Sequence, residues 1–413
     1  MSSETVVPGQ VLLADEQDEL AGVRARFQVP DPVVYLDGNS LGMLPTAVLP
    51  AVTDLVTRQW GQDLITSWNV HGWWQLPARV GNRIGRLIGA ADGQVICGDS
   101  TSVQLFQALT AACRMRPGRS VILTDGGGFP TDQYLADAVA GLLGLRVRRL
   151  HPSELAGQLD DDVAVVSFSQ VDYRTGELFD LATVTEQVHR SGALMLWDLC
   201  HSAGALPVAL DEVRADFAVG CSYKYLNGGP GAPGYLYIAQ RHLAAAELPL
   251  TGWHGHRSPF ELQQRYVPAD TIERARIGTP PVLSMAALEA ALSVFDEVSL
   301  AAIRRKSLAL TDLVIAFAQD RLADFGVTVV TPIEHARRGS QVSLRMPAAY
   351  EVCQALIERG VIGDFRAPDL LRLGFTPLYL RYADVYRALG ELESVLADGS
   401  HTDGRYAQRA AVT

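Results

Sequence analysis

Residues 215–231 have the sequence Ala215-Asp216-Phe217-Ala218-Val219-Gly220-Cys221-Ser222-Tyr223-Lys224-Tyr225-Leu226-Asn227-Gly228-Gly229-Pro230-Gly231. An apolar segment of strand character leads into a loop so rich in glycine and proline that neither a helix nor a strand can continue through it. Lys224 lies in this loop between two tyrosines, whereas most lysines lie on solvated helix faces. Partial desolvation there would favour the neutral amine, a nucleophile that can form a Schiff base.

A carboxylate precedes this lysine at the end of another apolar run. The segment Trp197-Asp198-Leu199-Cys200-His201 follows the apolar residues 193–196, and Asp198 lies 26 residues before Lys224. A buried carboxylate needs a cationic partner. A pyridoxal phosphate enzyme requires this pair, because the aspartate keeps the pyridine nitrogen protonated and the lysine carries the aldehyde. Either residue alone would be interpreted as a turn cap or a surface lysine, but together they favour the cofactor.

Four segments of the chain carry a resemblance to a known family. They are Tyr35-Leu36-Asp37-Gly38-Asn39-Ser40-Leu41-Gly42, Phe129-Pro130-Thr131-Asp132, Asp198-Leu199-Cys200-His201 and Ser222-Tyr223-Lys224-Tyr225-Leu226-Asn227-Gly228-Gly229. Together they resemble the kynureninases, a family in the class V branch of the fold-type I pyridoxal phosphate enzymes, from about residue 35 to about residue 387. The resemblance implies hydrolysis of the Cβ–Cγ bond of L-kynurenine to anthranilate and L-alanine, with 3-hydroxykynurenine as a second candidate substrate. The pathway would be tryptophan degradation or NAD biosynthesis.

Strands and helices are predicted to alternate from residue 120 onward. The apolar runs 121–124, 163–169, 193–197, 217–221 and 234–238 lack period-two alternation, which is typical of strands buried on both faces of a mainly parallel sheet. The predicted fold is α/β with a mainly parallel sheet between helices. The resemblance to the fold-type I enzymes implies a seven-stranded sheet in the large domain and a smaller α+β domain. We expect an N-terminal segment at 1–45, the cofactor-binding domain at 46–295, the small domain at 296–398 and a mobile tail at 399–413.

Composition excludes several kinds of partner. The 413 residues carry a formal net charge of −11 without any basic run, which argues against nucleic acid or an anionic membrane as a partner. Five widely spaced cysteines predict reduced core residues rather than a disulfide framework. The acidic residues at 15–19 and the lack of any apolar run of about 18 residues predict a cytoplasmic enzyme.

A helix start after Asp99-Ser100 is the candidate phosphate site. Helix N-termini present unpaired N–H groups and a positive dipole end to anions. An ordinary N-cap would explain the same pattern. The resemblance places the cofactor phosphate here, on Thr101 and Ser102.

The resemblance assigns further residues to the cofactor. Phe129 would stack on the pyridine face beside Pro130 and Thr131, Asp132 would bond in the cofactor neighbourhood, and Ser169 and His201 would address the ring hydroxyl. Trp253 and Thr279 would reach the site across the interface of a homodimer. Asp198 and His201 lack a third and fourth ligand at suitable spacing, so no metal is expected.

Six residues are candidates for binding the substrate: Asn39, Ser40, Trp68, His71, Gly278 and Arg372. Tryptophans crowd residues 60–74 around His71, which suits an aryl substrate. A structural aromatic cluster beneath a loop would explain any single one of these residues equally well. Arg372 matches the family's arginine and could clamp a carboxylate bidentately. Vertebrate members resemble Ser-Asn where this chain has Gly278-Thr279, which implies a preference for L-kynurenine itself.

The expected catalytic residues are Lys224, Tyr223 and Asp132. Lys224 would remove the α-proton, and Tyr223 and Asp132 would share the later proton transfers. Two alternatives remain at this point: another class V enzyme (a desulfurase, epimerase or transaminase), or a non-catalytic binding protein on the same fold. A desulfurase needs a mobile cysteine, and none of the five lies in an obvious flexible loop. A binding protein has no need of Lys224, Asp198 and Arg372 together.

Overall fold

The computed structural model describes residues 8–409. The chain separates into two units by the proximity of its Cα atoms. The larger unit comprises Ala47–Gln170 and Phe179–Ser293, and the smaller unit comprises Met1–Thr46, Val171–Leu178 and Val294–Thr413. The predicted domain boundaries at 45/46 and 295/296 lie close to this division, but the sequence did not suggest that residues 171–178 would leave the large domain.

Thirteen strands and eleven α-helices are formed by the described residues. The strands are β1 (Val34–Tyr35), β2 (Val95–Cys97), β3 (Val121–Asp125), β4 (Arg146–Leu150), β5 (Val163–Ser169), β6 (Leu194–Asp198), β7 (Phe217–Cys221), β8 (Gly234–Ile238), β9 (Thr328–Val329), β10 (Gln341–Arg345), β11 (Val361–Ile362), β12 (Asp364–Arg366) and β13 (Leu370–Gly374). The helices are α1 (Pro8–Glu16), α2 (Val48–Asp54), α3 (Ser67–Val70), α4 (Leu76–Leu87), α5 (Thr101–Arg114), α6 (Pro130–Leu143), α7 (Leu181–Arg190), α8 (Val282–Ala291), α9 (Leu300–Phe317), α10 (Ala349–Glu358) and α11 (Tyr382–Asp398). None of these helices is long and apolar enough to cross a lipid bilayer.

The larger unit is built on a seven-stranded sheet with the order β2-β8-β7-β6-β5-β3-β4. Strands β7, β6, β5, β3 and β4 run parallel, whereas β8 pairs antiparallel with β7 and with β2. The predicted α/β fold with a mainly parallel seven-stranded sheet is therefore confirmed. Carboxyl ends of parallel strands share one edge of a sheet, which is where ligands bind in this class of fold.

Burial of the central strands explains their sequence. Every residue of β3, β7 and β8 is buried, and β5 and β6 are buried except for their last residues, Ser169 and Asp198. Helix α5 packs over the middle of the sheet, where its alanines join the core that contains Val165, Leu196 and Val219. Among these five central strands, only the polar ends of β5 and β6 leave the core, at the carboxyl edge of the sheet.

The smaller unit contains a four-stranded antiparallel sheet, β12-β13-β10-β9, and the parallel pair β1-β11. Between residues 282 and 317 the chain forms α8, a 3-10 turn at Leu292–Asp296 and then α9. The break has a local cause, because the side chain of Ser299 accepts a hydrogen bond from the N–H of Ala302 at 3.1 Å and so caps a new helix.

The N-terminal segment belongs to the smaller unit. The Asp15 carboxylate caps α11 by accepting from the N–H groups of Tyr382 and Ala383 at 2.7 and 3.0 Å. At the other end of the chain, Ser400–Thr402 and Gly404–Tyr406 form 3-10 turns and Tyr406 is buried. Residues 1–7 and 410–413 lie outside the described residues, and the mobility of the tail stays a prediction.

An ion cluster at the start of β7 stabilises the larger unit. Asp216 is buried and accepts hydrogen bonds from His189 and His242, both at 2.7 Å, from Arg241 at 2.6 Å and from the N–H of Met195 at 2.8 Å. Burial alone would raise the pKa of Asp216, but these hydrogen bonds outweigh it and hold that pKa well below its usual range.

Substitution Asp216→Asn is expected to lower the free energy of unfolding by about 2–4 kcal/mol at pH 7, because it leaves the Arg241 guanidinium without its buried anionic partner. The pKa of Asp216 is depressed in the folded state. Its contribution is therefore present above about pH 4, the range of a free aspartate, and is lost as the pH falls further. Urea unfolding between pH 3 and 7 measures both effects.

The exposed pair Arg86–Asp92 offers the control, since its atoms are 3.4 Å apart and both side chains are more than half exposed. Asp92→Asn should change stability by less than about 0.5 kcal/mol. Equal effects of the two substitutions would contradict the role of the Asp216 cluster.

Candidate active site

Two predicted residues lie at the carboxyl ends of adjacent strands. Ser169 ends β5 and is the register partner of Asp198, which ends β6. The Ser169 hydroxyl donates to Asp198 Oδ2 at 3.1 Å, and the N–H of Cys200 donates to Oδ1 at 2.8 Å. Both oxygens of the carboxylate are thus oriented by the protein, as is needed to hold a cationic ring nitrogen at a fixed place.

Lys224 lies in the turn that follows β7. Its Nζ is 2.8 Å from Nε2 of His201, which is buried. The turn is tight, because the N–H of Gly228 donates to the carbonyl of Ser222 at 2.8 Å and Asn227 takes a positive φ of 57°. A Cβ at Gly228 would lie 2.9 Å from that carbonyl oxygen, so the glycine-rich sequence is required to bring the lysine into position.

Asp132 lies in the first turn of α6, and its N–H donates to the carbonyl of Phe129 at 3.0 Å. Burial raises the pKa of Asp132 well above its usual range; the negative charge of Asp198 adds to the rise, and the positive charge of Lys224 opposes it. Asp132 therefore lies within electrostatic range of both Asp198 and Lys224. Before Asp132, Pro130 occupies the first helical position and Phe129 is 45% exposed.

The candidate phosphate site is at the first turn of α5. Ser100 caps this helix by accepting from the N–H of Val103 at 3.3 Å, and Thr101 and Ser102 follow it. A Cβ at Gly234 would lie 2.6 Å from the backbone nitrogen of Thr101, so glycine at this position lets β8 approach the helix end. The first N–H groups of a helix have no partner within it and suit an anion.

The donor set fits pyridoxal phosphate. Lys224 offers an amine for the aldehyde, Asp198 offers an oriented carboxylate for the pyridine nitrogen, and Phe129 offers an aromatic face. The amino end of α5 offers N–H groups and the hydroxyls of Thr101 and Ser102. The chemistry of each residue matches one part of the cofactor.

Only two lysines occur in the chain, Lys224 and Lys306. Lys306 is buried in the smaller unit, where its Nζ bonds to Asp18 at 2.6 Å and to the carbonyl of Pro377 at 2.7 Å. It is committed to these contacts, which leaves Lys224 for covalent chemistry. The presence of only two lysines is visible in the sequence and supports the prediction that Lys224 holds the cofactor.

Aromatic residues of the larger unit form a connected cluster. The rings of Trp68 and Trp73 meet edge to face at 5.7 Å, and Trp74 stacks on His254 with centroids 4.3 Å apart. Trp253 joins the cluster 5.7 Å from Trp74. Trp68, Trp73 and Trp74 therefore lie together with Trp253 and His254, whereas Trp60 is exposed. The part played by His254 was missed, and contact of these rings with an aryl substrate stays a prediction.

His71 has a role in local structure. Its Nε2 lies 2.7 Å from Asp63 and 3.3 Å from Arg58. Contact of His71 with substrate stays a prediction. Gly278 and Thr279 are exposed on the segment that follows Arg276.

Arg372 belongs to the smaller unit, on β13. It is buried, and Nε donates to Asp364 at 2.9 Å, one terminal nitrogen to the carbonyl of Tyr173 at 2.7 Å, and the other to Ser40 at 2.9 Å. Asn39, also fully buried, lies beside it with its amide 3.2 Å from Gln341. The predicted trio of Asn39, Ser40 and Arg372 is thus brought together within this unit.

Sequence reasoning missed the partners of Arg372. Asp364 faces it across the hairpin of β12 and β13, and opposite charges at that spacing were the available signal. The carbonyl of Tyr173 carries no sequence signal.

Burial raises the pKa of Asp37 to about 6, and the nearby Asp364 adds to the rise.

Solved structures define the class of protein. A cysteine desulfurase from Escherichia coli has a TM-score of 0.77 at 20% identity and covers 92% of this chain and 98% of its own. A C-DES variant with glycine covalently linked to pyridoxal phosphate has a TM-score of 0.76 at 18% identity, covering 90% of this chain and 98% of its own. The chain thus has the fold of the fold-type I pyridoxal phosphate enzymes.

Closer relatives define the family. Kynureninase from Burkholderia pseudomallei is 47% identical over 98% of this chain and 99% of its own length, and that from Deinococcus radiodurans is 49% identical over 92% and 94%. The family model for the kynureninase C-terminal domain matches residues 303–392. The chain belongs to the kynureninase family.

These comparisons confirm the resemblance found in the sequence, and with it pyridoxal phosphate as the cofactor. The alternative class V activities are not favoured, since the desulfurases share only the fold. The positions of the cysteines also argue against a desulfurase, which needs a cysteine on a mobile loop. Four of the five cysteines are buried and Cys200 is half-buried, so none lies on an exposed loop.

Proposed function

We propose that this protein hydrolyses the Cβ–Cγ bond of L-kynurenine to give anthranilate and L-alanine. The observation that carries the proposal is the group at the carboxyl edge of the sheet, in which Lys224 lies 2.8 Å from His201 beside the oriented Asp198 carboxylate. Family membership at 47–49% identity over most of the chain supports the same conclusion.

Each residue of this group has a distinct task. When bound, pyridoxal phosphate supplies an electron sink for negative charge at the α-carbon of the substrate. Asp198, held by Ser169, keeps a proton on the pyridine nitrogen. Lys224 holds the cofactor and, once released, accepts the α-proton. His201 bonds the Lys224 amine and so keeps it near the reacting atoms.

Tyr223 and Asp132 carry the later proton transfers in our proposal. Burial raises the pKa of Tyr223, and the nearby Cys221 and Cys200 add to the rise, so the phenol keeps its proton at neutral pH. It can therefore donate that proton to the carbon from which anthranilate has departed. Asp132, whose pKa is also raised, holds a proton more readily than an exposed carboxylate and can serve as its partner.

The remaining cofactor contacts come from two subunits in our proposal. Thr101 and Ser102 bind the phosphate, Phe129 covers the ring with Pro130 and Thr131 behind it, and Trp253 and Thr279 arrive from a second copy of the chain. Exposed apolar side chains on the larger unit support a homodimer. They are Leu49, Val56, Trp60, Leu64, Ile65, Val70 and Leu283. Large exposed apolar side chains of this kind are typical of surfaces that a partner covers.

Six residues are proposed to bind the substrate. Arg372, with Asn39 and Ser40, binds the amino acid carboxylate, and Trp68, His71 and Gly278 line the aryl end. A cytoplasmic location agrees with the five unpaired cysteines. The pathway served is tryptophan breakdown or NAD biosynthesis.

Substrate preference tests the proposal. We expect kcat/KM for L-kynurenine to exceed that for 3-hydroxykynurenine by about tenfold or more, since Gly278-Thr279 offers no asparagine for the added hydroxyl and unmatched polar groups are discriminated against. Product release is followed by anthranilate fluorescence, with L-cysteine as a control for desulfurase chemistry. Sulfide release from cysteine without cleavage of either kynurenine would contradict the proposal.

A further inference from the structure

Two short segments of the larger unit pack backbone against backbone. The 3-10 turn Trp253–Gly255 lies on the segment that runs through Arg276 and Ile277. A Cβ at Gly252 would lie 1.8 Å from the carbonyl oxygen of Ile277, and one at Gly255 would lie 2.5 Å from that of Arg276. Only glycine at both positions permits this approach, so the two segments form one unit.

A buried pair of side chains clamps the segments together. His254 and Arg276 are 2% and 5% exposed, and Nδ1 of His254 lies 2.6 Å from a terminal nitrogen of Arg276. The other terminal nitrogen of Arg276 donates to Glu273 at 2.6 Å. Trp74 covers both partners, since it stacks on His254 at 4.3 Å and the Arg276 guanidinium lies 4.7 Å from its centroid.

The protonation of His254 suits this contact. Burial lowers the pKa of His254 to about 4, and the positive charge of Arg276 adds to the drop. The imidazole is therefore neutral near pH 7, with Nδ1 free to accept the hydrogen bond from Arg276 and the proton on Nε2.

A contribution to stability alone does not explain the contact between His254 and Arg276. His254 Nε2 and Arg276 Nε are buried without a hydrogen-bond partner among the described residues. Unpaired buried donors destabilise a fold, and they concentrate at functional sites.

The clamp lies between two residues assigned to the neighbouring active site. Trp253 directly precedes His254, is 44% exposed, and its ring lies 4.1 Å from the imidazole. Thr279 is exposed three residues after Arg276 and is followed by two prolines, which limit its movement. A fixed distance between His254 and Arg276 therefore fixes Trp253 relative to Thr279.

We propose that His254 and Arg276 are positioning residues that act on the active site of the neighbouring subunit, by holding Trp253 and Thr279 in one rigid surface. The inference rests on the proposed homodimer with shared sites. Neither residue needs to touch substrate or cofactor, because each acts through its neighbour in the chain.

Two substitutions separate the parts of the clamp. His254→Phe keeps a ring against Trp74 and removes the acceptor for Arg276, whereas His254→Asn keeps an acceptor near Nδ1 and removes the ring. We expect His254→Phe to lower kcat/KM and to raise the Kd for pyridoxal phosphate, each by about tenfold or more, as is typical when a supporting residue is lost. His254→Asn should recover part of both losses.

His256→Asn is the matched control. His256 lies two residues further on, and its Nδ1 accepts from the N–H of Ser258 at 2.9 Å, a bond that asparagine can reproduce. Its Kd and kcat/KM should stay within about twofold of wild type. Circular dichroism and size-exclusion chromatography confirm that each variant is folded and dimeric.

Mixed dimers show on which subunit the clamp acts. Consider a dimer of one Lys224→Ala subunit and one His254→Phe subunit. One of its two sites has Lys224 from the His254→Phe subunit and an intact His254–Arg276 clamp from the Lys224→Ala subunit. A random one-to-one mixture should therefore recover about a quarter of wild-type activity, since half of the dimers are mixed and each has one good site of two. A mixture no more active than the mean of its parents would overturn the inference.

A parallel mixture of Lys224→Ala and Trp253→Ala separates this inference from the proposed function. If that mixture gains activity and the His254→Phe mixture does not, shared sites stand and the positioning role is wrong. If neither gains activity, the shared site is wrong and the inference falls with it. Should His254→Phe fail to fold, the same mixture made with His254→Asn decides the question, by a gain above its parents or by none.

Discussion

Replacement of Lys224 by alanine is expected to reduce turnover of L-kynurenine by about four orders of magnitude or more, because the variant lacks both the covalent attachment point and the base for the α-proton. In our proposal the cofactor still binds through Thr101, Ser102 and Asp198. The variant should therefore bind pyridoxal phosphate without turning over L-kynurenine. Its visible absorption from covalently held cofactor is lost, while addition of pyridoxal phosphate still gives a saturable binding curve.

The second lysine supplies the matched control. Lys306→Arg keeps the ion pair with Asp18 and leaves Lys224 as the only lysine of the chain. This variant should remain active, and borohydride reduction followed by peptide mass analysis should place the cofactor on Lys224. Reduction that labels Lys306 in the wild type, or near-normal turnover by Lys224→Ala, would contradict the assignment.

Arg372→Ala is expected to raise KM for L-kynurenine by about 10²–10³-fold. The charged hydrogen bonds that we propose from Arg372 to the substrate carboxylate are lost, each contributing roughly 1.5–3 kcal/mol. In the structure the same guanidinium donates to Asp364 through Nε and a terminal nitrogen, so binding of the substrate carboxylate requires it to exchange this partner. The effect on kcat should be smaller, because the reacting bond lies away from the carboxylate. Steady-state kinetics over a wide substrate range measures both constants.

Arg366 provides a control on the same hairpin. It also pairs with Asp364, at 2.7 Å, but a third of its side chain is exposed. Arg366→Ala removes a positive charge next to Asp364 without removing the proposed clamp, so its KM should stay within about threefold of wild type. If Arg366→Ala raised KM as much as Arg372→Ala, the effect would come from Asp364 and the clamp would lie elsewhere.

Much of the candidate site was predictable because parallel strands that are buried on both faces are continuous apolar runs in the sequence. The predicted strands at 163–169, 217–221 and 234–238 match β5, β7 and β8 residue for residue. Parallel strands place their carboxyl ends at one edge of the sheet, whatever the conformation of the loops. This edge therefore holds Ser169, Asp198 and Lys224. The glycines after Lys224 added the reason for its unusual position.

What the sequence could not show is which distant side chains meet. The carbonyl of Tyr173 bonds to Arg372 across 199 residues of chain, and His254 pairs with Arg276 through a backbone contact that only two glycines permit. His71 was predicted from its place among tryptophans, although its nearest polar partner is Asp63. Such pairings depend on tertiary packing, which leaves little trace in local composition.

The central claim is that Lys224 and its neighbours cleave L-kynurenine by hydrolysis. The most direct measurement is product analysis of the purified protein with pyridoxal phosphate and L-kynurenine, quantifying anthranilate by fluorescence and L-alanine by amino acid analysis. We predict that both products form in equal amounts, and that neither forms with Lys224→Ala. Absence of anthranilate from a wild-type protein that shows the absorption of lysine-bound cofactor would contradict the account.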